Sequence, residues 1–390
     1  MQGTETSEEM NSSLPVTHGT KPSRGSLKIR EAVFEDYRQI ADLQMRNGLY
    51  PRPYEDWMAI WTANPEYKQM GGRWPIGWVL ETASGRIVGS IGNIPLAYEC
   101  RGRRLRAATS CSWVVDAAYR SNSMPLMSYL MRQKNVDLFI CTTVTSVSEP
   151  SYCAFQFSRV PVGTWDKSLF WITNYRGFSQ SALTMKSFPL PKAVSSPVSA
   201  ALFCWDKVRY AKFRTNGATS EIELCSGFDD RFDDFWEELK QQNQCLLAVR
   251  TRETLEWHFR YSLLRRNVWI LATFKGSRLT AYAIFDRLDH PTLDLKRVRL
   301  VDFQALDGHE KELGSILRWA LRKCREESVD VLENAGCWFD RRGLRQIPSP
   351  YQRTMVCWMY YYKAIDKGLA DTLLSPEMWT PTSFDGDASL

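Results

Sequence analysis

Histidine is scarce in this chain: four in 390 residues, at positions 18, 258, 290 and 309. None stands at metal-ligand spacing from another, and the ten cysteines are scattered singly without a C-x-x-C pair. That pattern argues against a zinc site and a disulfide framework. Cys111, Cys141 and Cys225, set in strand-like runs, read as small hydrophobes in a reducing compartment. No apolar run reaches bilayer-spanning length and no secretory signal is visible, so a cytoplasmic protein with no membrane span is expected. Charge of one sign is also lacking, the formal net charge being +6. The basic run Arg101-Gly102-Arg103-Arg104-Leu105-Arg106 sits where a hairpin turn is expected, so no nucleic-acid partner is expected. The pairs Asp229-Asp230 and Asp233-Asp234 read as the solvated face of a helix.

What is present is ordinary globular material, 44% hydrophobic and 24% charged, enough for two or three domains with sizeable cores. Residues 1–26 are polar and aperiodic and are expected to be disordered. A short strand from Leu27 is followed by amphipathic helical patterns over 34–49 and 54–62, the second carrying Trp57 and Trp61 four apart. Trp78-Val79-Leu80-Glu81 and Ile87-Val88-Gly89-Ser90-Ile91 flank a hairpin turn, and 103–115 return beside the second strand.

The chain is organised around residues 109–160. Cys111-Ser112-Trp113-Val114-Val115 suits a strand buried on both faces. A polar turn over 116–123 leads to Leu126, Met127, Leu130 and Met131 on one helical face, with Pro125 near the first turn. Val136 to Cys141 form another strand. Strand, turn, helix and strand place backbone N–H groups and a helix N-terminus beyond the first strand's end, where an anion sits well.

This stretch resembles the cofactor-binding core of the GNAT acyltransferase superfamily. The family's apolar-Asp-x-x-Tyr-Arg-like segment is matched by Val114-Val115-Asp116-Ala117-Ala118-Tyr119-Arg120. The small residues of the family turn are replaced, Ser123 and Pro125 standing where glycine or alanine is usual. Tyr152 precedes Gln156-Phe157 where the family carries a tyrosine before Gly-Phe. The resemblance implies acetyl-CoA or another acyl-CoA as co-substrate, held by Trp113, Val114, Val115, Tyr119, Arg120, Ser121, Asn122 and Ser123. It also implies that Tyr152 protonates the departing thiolate, a task suited to a phenol. The alternative for Tyr152 is a packed ring with a satisfied hydroxyl. In the family, helices corresponding to 34–49 and 54–62 line the acceptor pocket, and Trp57 and Trp61 either line it or only pack. Glu99 is the nearest carboxylate for a base, or it caps a hairpin end.

The programme then restarts. Trp269-Ile270-Leu271 follows the Trp78 hairpin by about 191 residues, Val301-Asp302 answers Val115-Asp116, and Val329 follows Val136 by about 193. Two tandem GNAT-like domains of mixed α+β class are expected, each a mostly antiparallel sheet flanked by helices. They would occupy 27–175 and 218–366, with a connector over 176–217 and a tail over 367–390. The strands near 355–362 are expected to finish the second sheet, and Trp379 to dock the tail. The second turn, Leu306 to Lys311, carries Asp307 and Glu310, which repel a pyrophosphate. Arg341, Arg342 and Arg345 read as a basic cluster on solvated surface or facing an anionic acceptor. The expected function is acyl transfer from coenzyme A to a small-molecule amine or amino-sugar acceptor. The rival is a non-catalytic binding or scaffolding protein that keeps the fold without the cofactor.

Overall fold

The computed structural model describes residues 27–163, 167–189, 191–210, 221–290, 292–336, 350–354 and 357–390. The expectations for 1–26 and for Arg341, Arg342 and Arg345 lie outside the described residues. In the first half, β1 (Lys28–Glu31), β2 (Gly77–Glu81), β3 (Ile87–Cys100) and β4 (Arg103–Val115) form an antiparallel meander, and β5 (Leu138–Thr145) lies parallel to β4. The chain continues through β6 (Ser158–Arg159) and β7 (Lys167–Ile172). In the second half, β8 (Ile222–Cys225), β9 (Leu247–Ala248), β10 (Val268–Lys275), β11 (Arg278–Arg287), β12 (Arg297–Ala305) and β13 (Val331–Ala335) precede β14 (Tyr351–Thr354) and β15 (Cys357–Ala364).

Helices cover both sheets. α1 (Tyr37–Arg46), α2 (Tyr54–Thr62), α3 (Pro65–Gln69), α4 (Ser123–Met131) and α5 (Glu149–Ala154) belong to the first half. α6 (Tyr175–Met185) and α7 (Pro191–Tyr210) form a helical pair between the halves. α8 (Asp230–Gln242), α9 (Arg252–His258), α10 (Arg260–Leu264), α11 (Glu312–Glu326) and α12 (Lys367–Leu373) follow. The helical periods predicted from sequence are therefore met in both halves, and α4 buries Leu126, Met127 and Leu130 as expected. The stretch 176–217 is expected to be a connector. Instead α7 runs for 20 residues with Pro197 inside it. Tertiary contacts override the local penalty, because Asp206 is buried and accepts hydrogen bonds from the hydroxyls of Tyr175 and Tyr351 at 2.8 and 2.6 Å.

The strand order is β1-β2-β3-β4-β5-β15-β6 in one sheet, with β9 beside β3, and β14-β7-β13-β12-β11-β10-β8 in the other. The halves thus exchange strands. β15, expected to finish the second sheet, pairs antiparallel with β5 and β6 of the first, whereas β7 pairs antiparallel with β13 of the second. Alternating residues of β15 then serve two faces: Tyr360 and Tyr362 join the core shared by both halves, and Tyr361 joins the core under α4. The tail docks through Trp379, whose Nε1 donates to the carbonyl of Leu373 at 2.8 Å and whose ring lies 4.7 Å from that of Tyr362. No helix among the described residues is long and apolar enough to cross a membrane.

Candidate functional site

Two irregularities in the first sheet make the site. The first is a β-bulge in β4. Ser90 pairs with Val114 and Gly92 with Cys111, so Ile91 faces both Ser112 and Trp113, and Ser112 takes a positive φ of 48°. A bulge drops a residue out of the ladder and re-aims its neighbours. Glycine is required at 92, because a Cβ there would stand 2.5 Å from the Cys111 sulfur. The second irregularity is a separation of strands. β4 and β5 pair only through Ala107 with Leu138 and Ala108 with Phe139. Past that point side chains meet across the gap: Ser110 Oγ lies 3.4 Å from Cys141 Sγ and 3.0 Å from the Tyr152 hydroxyl.

On one face of β4 the bulge opens into a cavity of about 170 Å³. Its walls include Trp57 and Trp61, along with Ser90, Cys111 and Ser112 of the sheet. Both tryptophans line a cavity and also pack, their rings 5.1 Å apart. Arg52 enters from the loop before α2, and Asp387 enters from the tail. The Asp387 carboxylate accepts from the Thr142 hydroxyl at 2.8 Å and the Thr143 hydroxyl at 2.6 Å, which ties the tail to β5. The close approach depends on Gly386 (φ 67°), where a Cβ would meet the Thr142 side chain at 2.6 Å. Burial raises the Asp387 carboxyl above its ordinary range, and burial, with Asp387 nearby, pushes the Cys111 thiol up to about 12. Cys111 is thus a protonated thiol rather than a nucleophile. Among the buried side-chain atoms, Ser90 Oγ, Thr109 Oγ1 and Trp113 Nε1 have no hydrogen-bond partner.

On the other face stands Tyr152, buried, its ring edge-on to Trp113 and Phe157 at 6.0 and 5.1 Å. Burial, reinforced by Cys141, holds its phenol well above the ordinary value, so it keeps its proton and can donate it. Val114 and Val115 are buried in the same strand.

The turn beyond β4 departs from the expected cradle. Ala117–Asn122 wind as a 3-10 helix, and the amides of Tyr119 and Ser123 donate to the carbonyls of Asp116 and Arg120. These two N–H groups point inward, whereas the side chains of Arg120 and Ser121 are exposed and Asn122 Nδ2 donates to the Tyr119 carbonyl at 3.3 Å. Asp116 anchors the turn to α1. Burial opposes its charge, but Arg46 at 2.9 Å and Asn47 hold its carboxyl below the usual range. Glu99 sits apart, opposite Arg104 near the end of the β3–β4 hairpin and lining a different cavity.

The architecture has known counterparts. No family model matches the sequence, and no curated protein matches it by sequence. Solved structures do match. A Saccharomyces cerevisiae N-myristoyltransferase with bound myristoyl-CoA aligns at 11% identity over 89% of this chain and 82% of its own, with a TM-score of 0.53. A GCN5-related N-acetyltransferase from Anabaena variabilis aligns at 12% identity over 87% and 73%, TM-score 0.52. A probable N-acyltransferase from Enterococcus faecalis aligns at 11% over 87% and 73%, TM-score 0.54. The chain has the GNAT fold. It is the two-domain α+β form, with mixed sheets flanked by helices.

Within the GNAT fold the second sheet repeats the bulge and fills it. Ile284 pairs with Asp302 and Phe285 with Leu300, so Val301 is the extra residue of β12. Asp302 therefore sits inside the strand beside the bulge, which corrects its equation with Asp116 at a strand's end. It is 0% exposed and takes Arg250 Nε at 2.8 Å and the Thr382 hydroxyl at 2.8 Å. At the second turn the Glu310 carboxylate itself accepts from the Gly308 amide at 3.3 Å.

Sequence reasoning missed Ser90, Arg52 and Asp387. A serine inside the run Ile87 to Ile91, and an arginine held between Pro51 and Pro53 ahead of an aromatic helix, are the signals available for the first two.

Proposed function

We propose that the chain is an acyl-CoA-dependent N-acyltransferase acting on a small amine acceptor, with its reaction centre at the β4 bulge. The observation that carries this reading is the juxtaposition at the bulge. A strand gap with the unpartnered Trp113 Nε1 on one side abuts a cavity of about 170 Å³ on the other.

The residues fit the pantetheine arm of an acyl-CoA better than its pyrophosphate. The edge Trp113-Val114-Val115 would accept the arm as an added strand, and Trp113 Nε1 offers a donor for an amide carbonyl. At the phosphate end, Arg120 and Ser121 contribute exposed side chains, Tyr119 and Asn122 half-buried ones, and Ser123 the start of α4, with two of the turn's amides already bonded. A bound acyl-CoA supplies an activated acyl carbonyl and a thiolate leaving group. Backbone amides of the bulged segment would hold the charge that develops on the carbonyl oxygen. Tyr152 would give its proton to the sulfur, and Asp387, a desolvated carboxylate on the cavity wall, would take one from the amine.

The test is a melting curve with acetyl-CoA and longer acyl-CoAs, followed by thiol release. Ligand at a hundredfold its dissociation constant stabilises by about 2.7 kcal/mol. A shift that grows with acyl-CoA concentration is expected, and no shift with any of them would remove this reading. The inward amides of the 116–123 turn favour a second one, a scaffold that keeps the fold without the donor, and the same flat melting curve would support it.

A further inference from the structure

The cavity at the bulge carries charges of both signs on its lining. The Arg52 side chain forms no ion pair or hydrogen bond among the described residues; its carbonyl accepts from the Tyr37 hydroxyl at 2.6 Å, and its guanidinium carbon lies 5.4 Å from the face of Tyr261. Of the neighbouring acids, Asp56 pairs with Arg265 at 3.1 Å, and Asp286, on β11 with one carboxylate oxygen unpartnered, is not on the cavity lining. Burial pulls the Arg52 guanidinium down from its ordinary value, with Cys111, Tyr261, Asp56 and Asp286 acting the other way. Cys111 lines the same cavity as Arg52 and Asp387. A desolvated guanidinium without a partner is costly, and a bidentate carboxylate relieves that cost. Ser90 Oγ, buried on the same wall, lacks a partner as well.

We infer that the acceptor is a free amino acid, its carboxylate held by Arg52 and its ammonium turned toward Asp387. Tyr50, Trp57, Trp61 and Trp78 surround the space left for its side chain. This rests on the acyltransferase reading and names its substrate class. In the balanced step the ammonium gives one proton to Asp387, the N–C bond forms and the C–S bond breaks. Tyr152 protonates the sulfur and is reprotonated by the nitrogen's second proton through solvent. One proton is released per turnover, as the neutral amide replaces the ammonium.

The full chain is assayed with acetyl-CoA by thiol release against amino acids of graded size, the same amino acids as carboxamides, and dipeptides with the same first residue. The free acid is expected to exceed its carboxamide by at least about tenfold in kcat/KM, because the carboxamide leaves Arg52 unpaired. Arg52→Met should erase that preference, bringing the acid-to-carboxamide ratio of kcat/KM to about one. Arg52→Lys, which keeps the charge, should retain part of the preference and guards against a folding defect in the first variant. Equal rates on acid and carboxamide, or better rates on the dipeptide, would overturn the proposal while leaving the acyltransferase standing. Acyl-CoA binding without turnover of any amino acid would do the same. A chain that binds no acyl-CoA would overturn both.

Discussion

The same strand is bulged in both sheets, and the two bulges have been put to different use. At Val301 the disturbance is filled from within: Arg250 Nε meets Asp302 Oδ2 at 2.8 Å, Nη1 donates to the Ala248 carbonyl at 2.8 Å, and Thr382 closes the pair from the tail. At Ser112 and Trp113 the equivalent space is left as a cavity, with a serine hydroxyl unpartnered on its wall and the Trp113 indole N–H unpartnered on the side of the strand gap. A buried ion pair whose guanidinium nitrogens are all hydrogen-bonded is a structural plug. Polar atoms left without partners around a cavity are what a ligand would satisfy. Local distortion of the sheet is therefore common to both halves, and function follows from what the surrounding chain brings to it.

The sharpest way to break this comparison is to cut into each bulge. Arg250→Met leaves the buried Asp302 with neutral donors only and no cation, and should cost about 3–5 kcal/mol in urea unfolding. Ser112→Gly, at an exposed residue of positive φ, should change stability by less than about 0.5 kcal/mol. Similar costs for the two would mean that the second bulge is no more a plug than the first. Tyr152→Phe comes next. It should slow turnover about 10²-fold or more while leaving acyl-CoA affinity unchanged, and should cost about 1 kcal/mol of stability for the lost bond to Ser110. Unchanged turnover would return Tyr152 to a packing role.

A smaller effect should appear with pH. His258 packs against Phe384 and its Nε2 lies 2.8 Å from Ser389 Oγ. Burial is the largest influence, with Asp302 opposing it and Arg250 and Arg52 adding to it, and together they bring the imidazole down to about 3 from 6.5. The unfolded chain then binds a proton that the folded one does not. The neutral form's stabilising contribution is complete above pH 6.5 and falls away as pH drops toward 3. Asp385, raised to about 6 mainly by burial, acts oppositely: its folded-state cost is full above pH 6 and fades as pH falls toward 3.8. His258→Gln should flatten the acid limb of a stability-against-pH curve, and an unaltered limb would place the sensitivity elsewhere. Smallest of all, Arg120→Ala should weaken acyl-CoA binding by about 1 kcal/mol or less, and the loss should shrink as salt is added. A salt-independent loss would mean that Arg120 acts through the fold of the turn.

Much of the fold was legible because it is periodic. α4 and its buried Leu126, Met127 and Leu130, the hairpin around Gly85, and the repeat near 191 residues all follow from spacing alone. The exchange of β7 and β15 was not. Alternation says that Tyr360, Tyr361 and Tyr362 lie on a strand with two faces, and that pattern is the same beside β5 as beside β13. The site was half legible for a similar reason: Trp57 and Trp61 announce themselves four apart, whereas Arg52 and Asp387 are single charges more than three hundred residues apart.

The chain's own order settled the local elements, their faces and their twofold recurrence, because dihedral preference and apolar period act over a few residues. Tertiary structure alone decided which sheet each last strand joins, which bulge is filled, and which two charges share a wall. Those outcomes depend on contacts between segments far apart in sequence, and no local pattern records them.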